Sequence, residues 1–149
     1  MRAVVQRVLR AWVETEGRKI SQIDNGLLVY VSIGKTDTVD DARFIAEKLV
    51  NLRIFADEAD KMNRSLPDVG GSILMVSNFT LHGDCRKGRR PSFDGAAGPE
   101  MAEQLYEKLS ELIAEQGVAV EKGVFGQHMQ ISSVNDGPVT FIIDSSRLF

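Results

Sequence analysis

The fold class is first indicated by the N-terminal stretch VVQRVLRAWV, residues 4–13. Its β-branched residues cluster or alternate with polar ones, a pattern that predicts a strand rather than a helix. Other short runs of the same character predict strands at residues 27–33, 73–76, 118–120, 129–134 and 139–143. Most of the regular structure predicted for this chain is therefore β.

Two other segments have helical spacing. In the first, residues 38–51, apolar side chains fall on one stripe behind a Thr-Val-Asp-Asp sequence that resembles an acidic capping box. The second starts at Pro99, where a first helical residue tolerates a missing N–H, and its apolar side chains up to Ile113 share one face. Gly117 stands just past its end. We therefore predict two main helices.

The order of these elements indicates the fold class. Strands outnumber helices and do not alternate with them one for one, which favours an α+β domain with a largely antiparallel, barrel-like sheet over a doubly wound fold. The chain has 149 residues, of which 43% are hydrophobic and 26% charged, enough for one domain with a real core. We predict a single domain over residues 1–149. Residues 57–71 and 82–98 are predicted to be long loops, which are more often functional or disordered than neutral.

Charge and cysteine content narrow the possible functions. The chain has 18 Lys and Arg against 21 Asp and Glu, a net charge of −3, so no general basic surface is expected to hold a nucleic acid duplex. Any contact with RNA must be local. The single Cys85 cannot form an internal disulfide, and we see neither a secretory signal nor a run of about 18 apolar residues. We expect a cytoplasmic protein that is not in a membrane.

Hydroxyls, an amide and an aromatic ring follow the strand at 73–76, in the sequence SNFTL at residues 77–81. Strand ends often form sites, although an ordinary polar strand terminus fits equally well. Thr80 could be a nucleophile only if a base such as His82, two residues on, takes its proton. A closed zinc site needs about four ligands, and besides His82 and Cys85 the only other His or Cys is His128, so we expect no metal.

The sequence NDGPVT at residues 135–140 joins two predicted strands. Its turn-forming residues favour a hairpin turn on spacing alone. Gly137-Pro138 suggests more, because rigid backbone atoms open to a ligand can probe a chiral centre. Arg7 falls on an apolar face of the first strand, which indicates either a charged partner or a side chain that reaches solvent from a sheet edge. The basic run at 87–93 suits phosphate contacts and base stacking, or is simply a solvated loop.

Seven short landmarks span nearly the whole chain: QRV at 6–8, RIF at 53–55, KMN at 61–63, GGS at 70–72, SNFTL at 77–81, RPSF at 90–93 and NDGPVT at 135–140. Together and in this order they resemble the D-aminoacyl-tRNA deacylases, formerly called D-tyrosyl-tRNA deacylases. The family's Asn-x-Gly-Pro-Val-Thr segment is matched completely. Its Ser-Gln-x-Thr-Leu segment is matched except at Asn78, one methylene shorter than the family's Gln. Gln127 and His128 also differ from the small and acidic residues of the family.

The resemblance implies a substrate and an assembly. The substrate is the ester between a D-amino acid, or glycine mischarged on tRNA-Ala, and the 3′-terminal ribose of tRNA. The assembly is a homodimer in which Gly137-Pro138, cis in this family, enters the partner's site and excludes L-aminoacyl groups. Arg7 would brace this segment. The implied catalytic residues are Ser77, Asn78, Phe79 and Thr80; the residues implied in chirality and substrate binding are Gln6, Arg7, Phe125, Met129, Gly137 and Pro138. No cofactor and no metal are implied.

Two mechanisms are open for this ester hydrolysis. Either Thr80 attacks the carbonyl, or no side chain is a nucleophile, backbone N–H groups near Phe79 and Thr80 hold the oxyanion, and the substrate's 2′-hydroxyl helps to activate water. We favour the second, because Thr80 has no assured base and one preorganised oxyanion donor is typically worth about 2.7–4 kcal/mol. Two other functions stay open: a non-catalytic binder of RNA ends that uses the basic loop, and a small-ester hydrolase without RNA dependence.

Overall fold

The computed structural model describes residues 1–148. Their strands are β1 (Arg2–Thr15), β2 (Arg18–Ile23), β3 (Gly26–Ser32), β4 (Phe55–Ala56), β5 (Met62–Arg64), β6 (Ser72–Ser77), β7 (Val120–Lys122) and β8 (Gln130–Asp144). The helices are α1 (Val39–Asn51) and α2 (Pro99–Ala114), and short 3₁₀ turns cover Pro67–Val69 and Phe79–His82.

β1 is the central strand of the sheet. It pairs antiparallel with β2 and β3 on one side and with β8 on the other. Beyond β3, the strands β6 and β7 are added in parallel. The result is a nearly closed, barrel-like sheet of six strands, while β4 and β5 form a separate pair. The predicted α+β class, with two main helices and a barrel-like sheet, is confirmed.

Both faces of the sheet are covered by apolar side chains. On one face Val5, Val29 and Met75 pack against the buried stripes of the two helices and form the larger core. The other face carries a smaller cluster, which includes Val8 and Leu28. β3 is buried over nearly its whole length, as expected for a strand with both faces covered. This strand and its parallel neighbour β6 end at the same edge of the sheet.

The two helices form where the apolar periodicity predicts them. At the start of α1 the Asp41 carboxylate accepts hydrogen bonds from the Thr38 N–H at 2.8 Å and the Thr38 hydroxyl at 2.9 Å, which confirms the capping interpretation. α2 has Pro99 in its first turn and ends at Ala114, before Gly117 with its φ of +82°. Each helix buries its apolar stripe in the larger core.

The sequence analysis missed several strands. β2 is a polar edge strand with two buried residues, so its sequence lacks the apolar alternation that marks β1. It follows a tight turn in which Glu16 and Gly17 both have positive φ, the geometry of a hairpin turn. Residues 57–71, predicted to be a loop, contain β5 and a 3₁₀ turn. β7 lies about two residues later than predicted.

The predicted hairpin at residues 135–138 is wrong. β8 runs through this segment as one strand and pairs with β1 on both sides of it. The register passes from Thr140 opposite Gln6 to Asn135 opposite Val8, so residues 136–139 leave the ladder opposite a single residue of β1. The turn-forming residues therefore build a large bulge in a continuous strand rather than a reversal of the chain.

Candidate active site

An open cleft of about 740 Å³ lies at the edge where the parallel strands β3 and β6 end. Its walls come from the end of β3, the 3₁₀ turn after β6, the segment leading into α2, and residues 125–128. Ligands bind preferentially outside the carboxyl ends of parallel strands, because the following segments diverge there. The cleft is mostly apolar, with a few polar groups on its walls.

The 3₁₀ turn Phe79–His82 is fastened by the residue before it. Asn78 donates its backbone N–H to the Val31 carbonyl at 2.7 Å, which ties the turn to β3. The Asn78 side-chain oxygen accepts bonds from the Thr80 N–H at 3.3 Å and from the Thr80 hydroxyl at 2.5 Å. The Thr80 hydroxyl therefore donates its hydrogen bond to an amide oxygen, and an amide oxygen is too weak a base to remove the proton.

Phe79, the first residue of this turn, differs from its neighbours in the hydrogen bonding of its backbone N–H. Within residues 1–148 the backbone N–H of Phe79 has no acceptor, whereas those of Asn78, Thr80 and Leu81 each have one. Phe79 as a whole residue is 59% exposed. Phe79 lines the cleft, so its backbone N–H is among the donors of the cleft-lining residues that the described part of the chain does not use.

His82, at the end of the turn, is bonded to β3 rather than to Thr80. Its Nδ1 lies 2.6 Å from the hydroxyl oxygen of Ser32, a buried residue that also contacts the Phe79 carbonyl at 3.3 Å. Burial, and to a lesser extent the nearby Arg2, lowers the pKa of His82. A neutral His82 anchors the back of the turn, and no hydrogen bond links it to the Thr80 hydroxyl.

Aromatic rings form the apolar walls of the cleft. Phe79 and Phe93 meet edge to face, with ring centroids 5.1 Å apart. Phe125 packs against Tyr106 at 5.7 Å, and the Tyr106 hydroxyl donates to the Met75 carbonyl at 2.7 Å. Burial raises the pKa of Tyr106, so this hydroxyl stays protonated and acts as a structural donor. The walls are held by the core beneath them.

The polar rim of the cleft was not predicted as a site. Gln127 and His128 line it, and the His128 carbonyl accepts the hydroxyl of Thr15 on β1 at 3.1 Å. Met129, which was predicted in the site, is not among the lining residues. Its sulphur packs so closely on Gly123 that a Cβ there would stand 2.6 Å away, and the side chain joins the smaller core.

The bulge of β8 presents Gly137 and Pro138 on the surface of the chain, joined by a cis peptide bond. Asn135 closes its base by donating from Nδ2 to the Arg7 carbonyl at 2.8 Å and to the Val139 carbonyl at 3.3 Å. A Cβ on Gly137 would lie 1.9 Å from the Val139 backbone nitrogen, so only glycine fits without a shift of the backbone.

Arg7 has a charged partner, which was one of the two interpretations that the sequence left open. Its Nε lies 2.9 Å from the Asp136 carboxylate and donates to the Asp136 carbonyl at 3.2 Å, while another guanidinium nitrogen donates to the Ile54 carbonyl. The Arg7 side chain is only 13% exposed. It therefore ties the bulge to the segment that follows α1.

The structure divides the predicted site residues into two groups. Ser77, Asn78, Phe79, Thr80 and Phe125 line the cleft, whereas Gln6, Arg7, Met129, Gly137 and Pro138 do not. Of the second group, Gln6 lies beside the bulge and donates from its side-chain amide to the Thr140 hydroxyl at 3.2 Å. One chain thus carries an open cleft and, separately, an exposed Gly-Pro bulge.

Among residues 1–148, no group of three or more His, Cys, Asp or Glu side chains is placed to hold a metal ion. No helix in the same range is long and apolar enough to cross a membrane.

Comparison with known families decides the relationship. The family model described as D-Tyr-tRNA(Tyr) deacylase matches residues 4–144. The chain belongs to this family. The family predicted from the seven landmarks is confirmed, and so is the prediction of an enzyme, a hydrolase of the deacylase type.

Curated relatives of the deacylase family match over the full length. A D-aminoacyl-tRNA deacylase of Fervidobacterium nodosum is 54% identical over 149 residues and covers 100% of both chains. One of Thermus aquaticus is 56% identical over 147 residues, which are 99% of this chain and 97% of the relative. These relatives have the same extent as the present chain.

Solved structures agree on the deacylase fold. A structure described as c-Myc DNA Unwinding Element Binding Protein superposes with a TM-score of 0.91 at 38% identity and covers 97% of this chain and 98% of its own. A probable eukaryotic D-amino acid tRNA deacylase superposes with a TM-score of 0.82 at 18% identity, over 95% of this chain and 97% of its own. The second likeness concerns the fold alone.

Several cleft residues escaped the sequence analysis. Ser32, Gln127 and His128 come from segments far from residues 77–80, and no local pattern indicates that they share a cleft with that segment. Phe93 did not escape in the same way, because the basic run at 87–93 was already interpreted as suited to phosphate contacts and base stacking. The departures from the family at Gln127 and His128 were visible in the sequence, but their place on the rim is set by tertiary structure.

Proposed function

We propose that this deacylase hydrolyses the ester between a D-amino acid and the 3′-terminal ribose of tRNA. The observation that carries this proposal is the backbone N–H of Phe79, unused by the protein and placed on the wall of an apolar cleft. Ester hydrolysis creates a negative oxygen in its transition state, and a fixed donor beside that position stabilises it by about 2.7–4 kcal/mol. The aromatic walls suit the acyl side chain and the terminal adenine.

No side chain is a nucleophile in this mechanism. The hydroxyl of Thr80 is directed to Asn78, and His82 is held by Ser32. The 2′-hydroxyl of the substrate's own ribose, next to the ester, then helps to activate the attacking water. The role of residues 78–80 is to position the substrate and to present the Phe79 N–H to the developing oxyanion.

The functional unit is proposed to be a homodimer with composite sites. Gly137 and Pro138 are exposed in the single chain, and the cleft of that chain is open. Exposed apolar side chains lie on the same two strands as the bulge, namely Leu9 on β1 with Val134, Phe141 and Ile142 on β8. A second copy that packs against the exposed apolar side chains of these two strands would bring its bulge to the open cleft. The backbone of Gly137 and Pro138 would then exclude the side chain of an L-amino acid.

The proposed filter would also admit glycine. A filter that rejects L-amino acids by steric contact acts on the side chain, and glycine has none on either face of its α-carbon. We therefore include glycine mischarged on tRNA-Ala among the proposed substrates. A cytoplasmic location stays a prediction.

The activity is tested by release of labelled tyrosine from D-Tyr-tRNA and L-Tyr-tRNA. We expect hydrolysis of the D-ester only, and a D-ester as stable with the enzyme as without it would contradict the proposal. The same transfer RNA ending in 2′-deoxyadenosine should be hydrolysed at least about 100-fold more slowly, the usual range for lost proton-transfer assistance.

The oxyanion role of Phe79 has a matched pair of variants. Phe79→Ala removes the ring and keeps the N–H, whereas Phe79→Pro removes both. Proline is tolerated in the first turn of a helix, and here no internal hydrogen bond is lost. We expect Phe79→Pro to be slower than Phe79→Ala by about 10²–10³ in kcat. Equal rates of the two variants would exclude a role of the Phe79 N–H in stabilising the oxyanion.

Mixing of a cleft variant with a bulge variant tests the composite site. If the bulge acts on the partner's cleft, a heterodimer of Phe79→Pro and Gly137→Ala has one site with both parts intact. Random reassembly of an equal mixture gives mixed dimers in half of the cases, so about half of the Gly137→Ala clefts face an intact bulge and hydrolysis of L-Tyr-tRNA per Gly137→Ala chain should fall by about half. A site built within one chain would leave this L-ester hydrolysis unchanged, and a protein that is monomeric by sedimentation would contradict the dimer.

A further inference from the structure

The loop at residues 85–91 is closed at its base. Asp84 and Ser92 exchange both backbone hydrogen bonds, at 2.7 Å and 3.0 Å, so that their peptide groups form a short antiparallel bridge. Gly88, in the middle of the loop, has a φ of +70°, a backbone conformation that glycine adopts without strain. The loop therefore projects from a defined base rather than lying along the surface as an open connection.

This base is packed directly on the candidate active site. Phe93, next to the bridge, lines the cleft and packs edge-on against Phe79 at 5.1 Å. On the other side of the bridge, a Cβ on Gly83 would stand 2.9 Å from the Thr80 carbonyl and 3.1 Å from the Phe93 ring. With no room for even one more carbon, the loop base is held against the turn that carries Phe79.

The basic residues of the loop differ in whether they are paired with an acidic side chain. Arg86 is paired with Asp84 through two side-chain contacts, at 2.9 Å and 2.7 Å, and this pairing lowers the pKa of the Asp84 carboxyl. Within residues 1–148, no ion pair involves Lys87, Arg89 or Arg90, and all three residues are exposed. A chain of net charge −3 thus concentrates three uncompensated positive charges at one edge of its cleft.

The chemistry that fits this arrangement is a flexible chain of phosphates that leads into the cleft. A duplex would need a broad basic surface, which an acidic chain lacks, whereas a single strand can be held by a few local cations. The proposed substrate enters the cleft by its 3′-terminal nucleotide, and its preceding unpaired nucleotides carry phosphates past the rim.

We infer that Lys87, Arg89 and Arg90 bind the phosphates of the unpaired 3′ nucleotides of the aminoacyl-tRNA. This inference rests on the proposed function and names the part of the substrate that the loop recognises. It also explains how a protein with net negative charge holds RNA: the contact is confined to one loop beside the site.

The test compares two substrates and two triple variants. One substrate is D-Tyr-tRNA; the other is D-tyrosyl-adenosine, which has the ester and the terminal nucleoside but no phosphate. The loop variant is Lys87→Gln, Arg89→Gln, Arg90→Gln. The control variant neutralises exposed cations outside the cleft, Arg18→Gln, Arg43→Gln and Lys61→Gln, so that both proteins have the same net charge.

We expect kcat/KM of the loop variant for D-Tyr-tRNA to fall by about 10- to 100-fold at low salt, through KM. The slope of log(kcat/KM) against log[salt] should become shallower by about 2, because each phosphate contact to a single strand contributes about 0.7. Hydrolysis of D-tyrosyl-adenosine should stay within about twofold of the wild type, and the control variant should keep the wild-type slope.

Three outcomes would overturn the inference. Unchanged salt dependence in the loop variant would mean that Lys87, Arg89 and Arg90 do not contact phosphates of the substrate. An equal loss in the control variant would assign the effect to net charge. A parallel loss on D-tyrosyl-adenosine would mean that the loop acts through the shape of the cleft. A wild-type protein that hydrolyses neither substrate would instead refute the proposed function, which is a different result from any of these.

Discussion

Replacement of Thr80 by valine separates the two mechanisms for the ester hydrolysis. Valine keeps the β-branched shape and removes only the hydroxyl. That hydroxyl makes one hydrogen bond, to the side-chain oxygen of Asn78, and this oxygen keeps its bond from the Thr80 N–H. Loss of one such bond at an exposed position costs about 0.5–1.5 kcal/mol. If this whole free energy were lost from the stabilisation of the transition state, the rate would fall by about tenfold at most.

Loss of a true nucleophile has a far larger effect, on the order of 10⁶ in kcat for a serine hydrolase. The two expectations differ by several orders of magnitude, so the measurement need not be precise. The assay is the initial rate of tyrosine release from D-Tyr-tRNA under saturating conditions. Thr80→Ser, which keeps a hydroxyl, is the control, and the melting temperature of each variant checks the fold. A fall of more than about 10³ in Thr80→Val, with Thr80→Ser active, would refute the reasoning.

Three further predictions follow from the hydrogen bonds and close contacts described above. In Gly137→Ala the new Cβ meets backbone at 1.9 Å, so we expect a displaced bulge and a lower ratio of D-ester to L-ester hydrolysis, measured on the two tyrosyl-tRNAs. Arg7→Met leaves Asp136 and a backbone carbonyl without their donor, which should lower the free energy of unfolding in urea by about 1–3 kcal/mol. The pKa of His82 is lowered in the folded state, so the unfolded chain binds more protons and wild-type stability should fall below about pH 6.5, whereas His82→Gln should lack this loss.

The regular elements with strong periodicity were predictable from sequence. α1 and α2 have apolar stripes, with a capping box at the start of α1 and Pro99 in the first turn of α2, and β1 and β3 carry β-branched residues in a pattern that favours strands. β2 was not predictable in this way, because an edge strand with two buried residues carries no apolar alternation. The spacing of apolar residues in the sequence reflects which side chains are buried. A strand or helix that buries few side chains therefore has little apolar pattern by which to predict it.

The bulge of β8 shows where local reasoning fails. Asn135-Asp136-Gly137-Pro138 has the composition of a turn, and the hairpin interpretation followed from it. The outcome is decided by the long pairing with β1 on both sides of the segment, which keeps β8 continuous and forces the extra residues outward. Arg7 then contacts the resulting bulge. This contact depends on residues about 130 positions apart, and no local window contains it.

The candidate cleft was half predictable. Residues 77–80 stand at the end of an apolar strand and carry polar groups, so their place in a site followed from sequence. The anchoring of His82 by Ser32 did not, because it requires the parallel pairing of β3 with β6. The sequence offered no assured base for Thr80, and in the structure the Thr80 hydroxyl donates to the Asn78 side-chain oxygen while His82 is bonded to Ser32.

The pairing of β1 with β8 has a consequence for biosynthesis. During translation β1 leaves the ribosome before its partner strand β8, which emerges more than 100 residues later, on the order of ten seconds at about 5–20 residues per second. For that time one full edge of the central strand has no native partner, and unpaired edges invite wrong associations. We expect nascent chains truncated before residue 130 to recruit chaperones, and a circular permutant that joins β8 directly to β1 to fold faster.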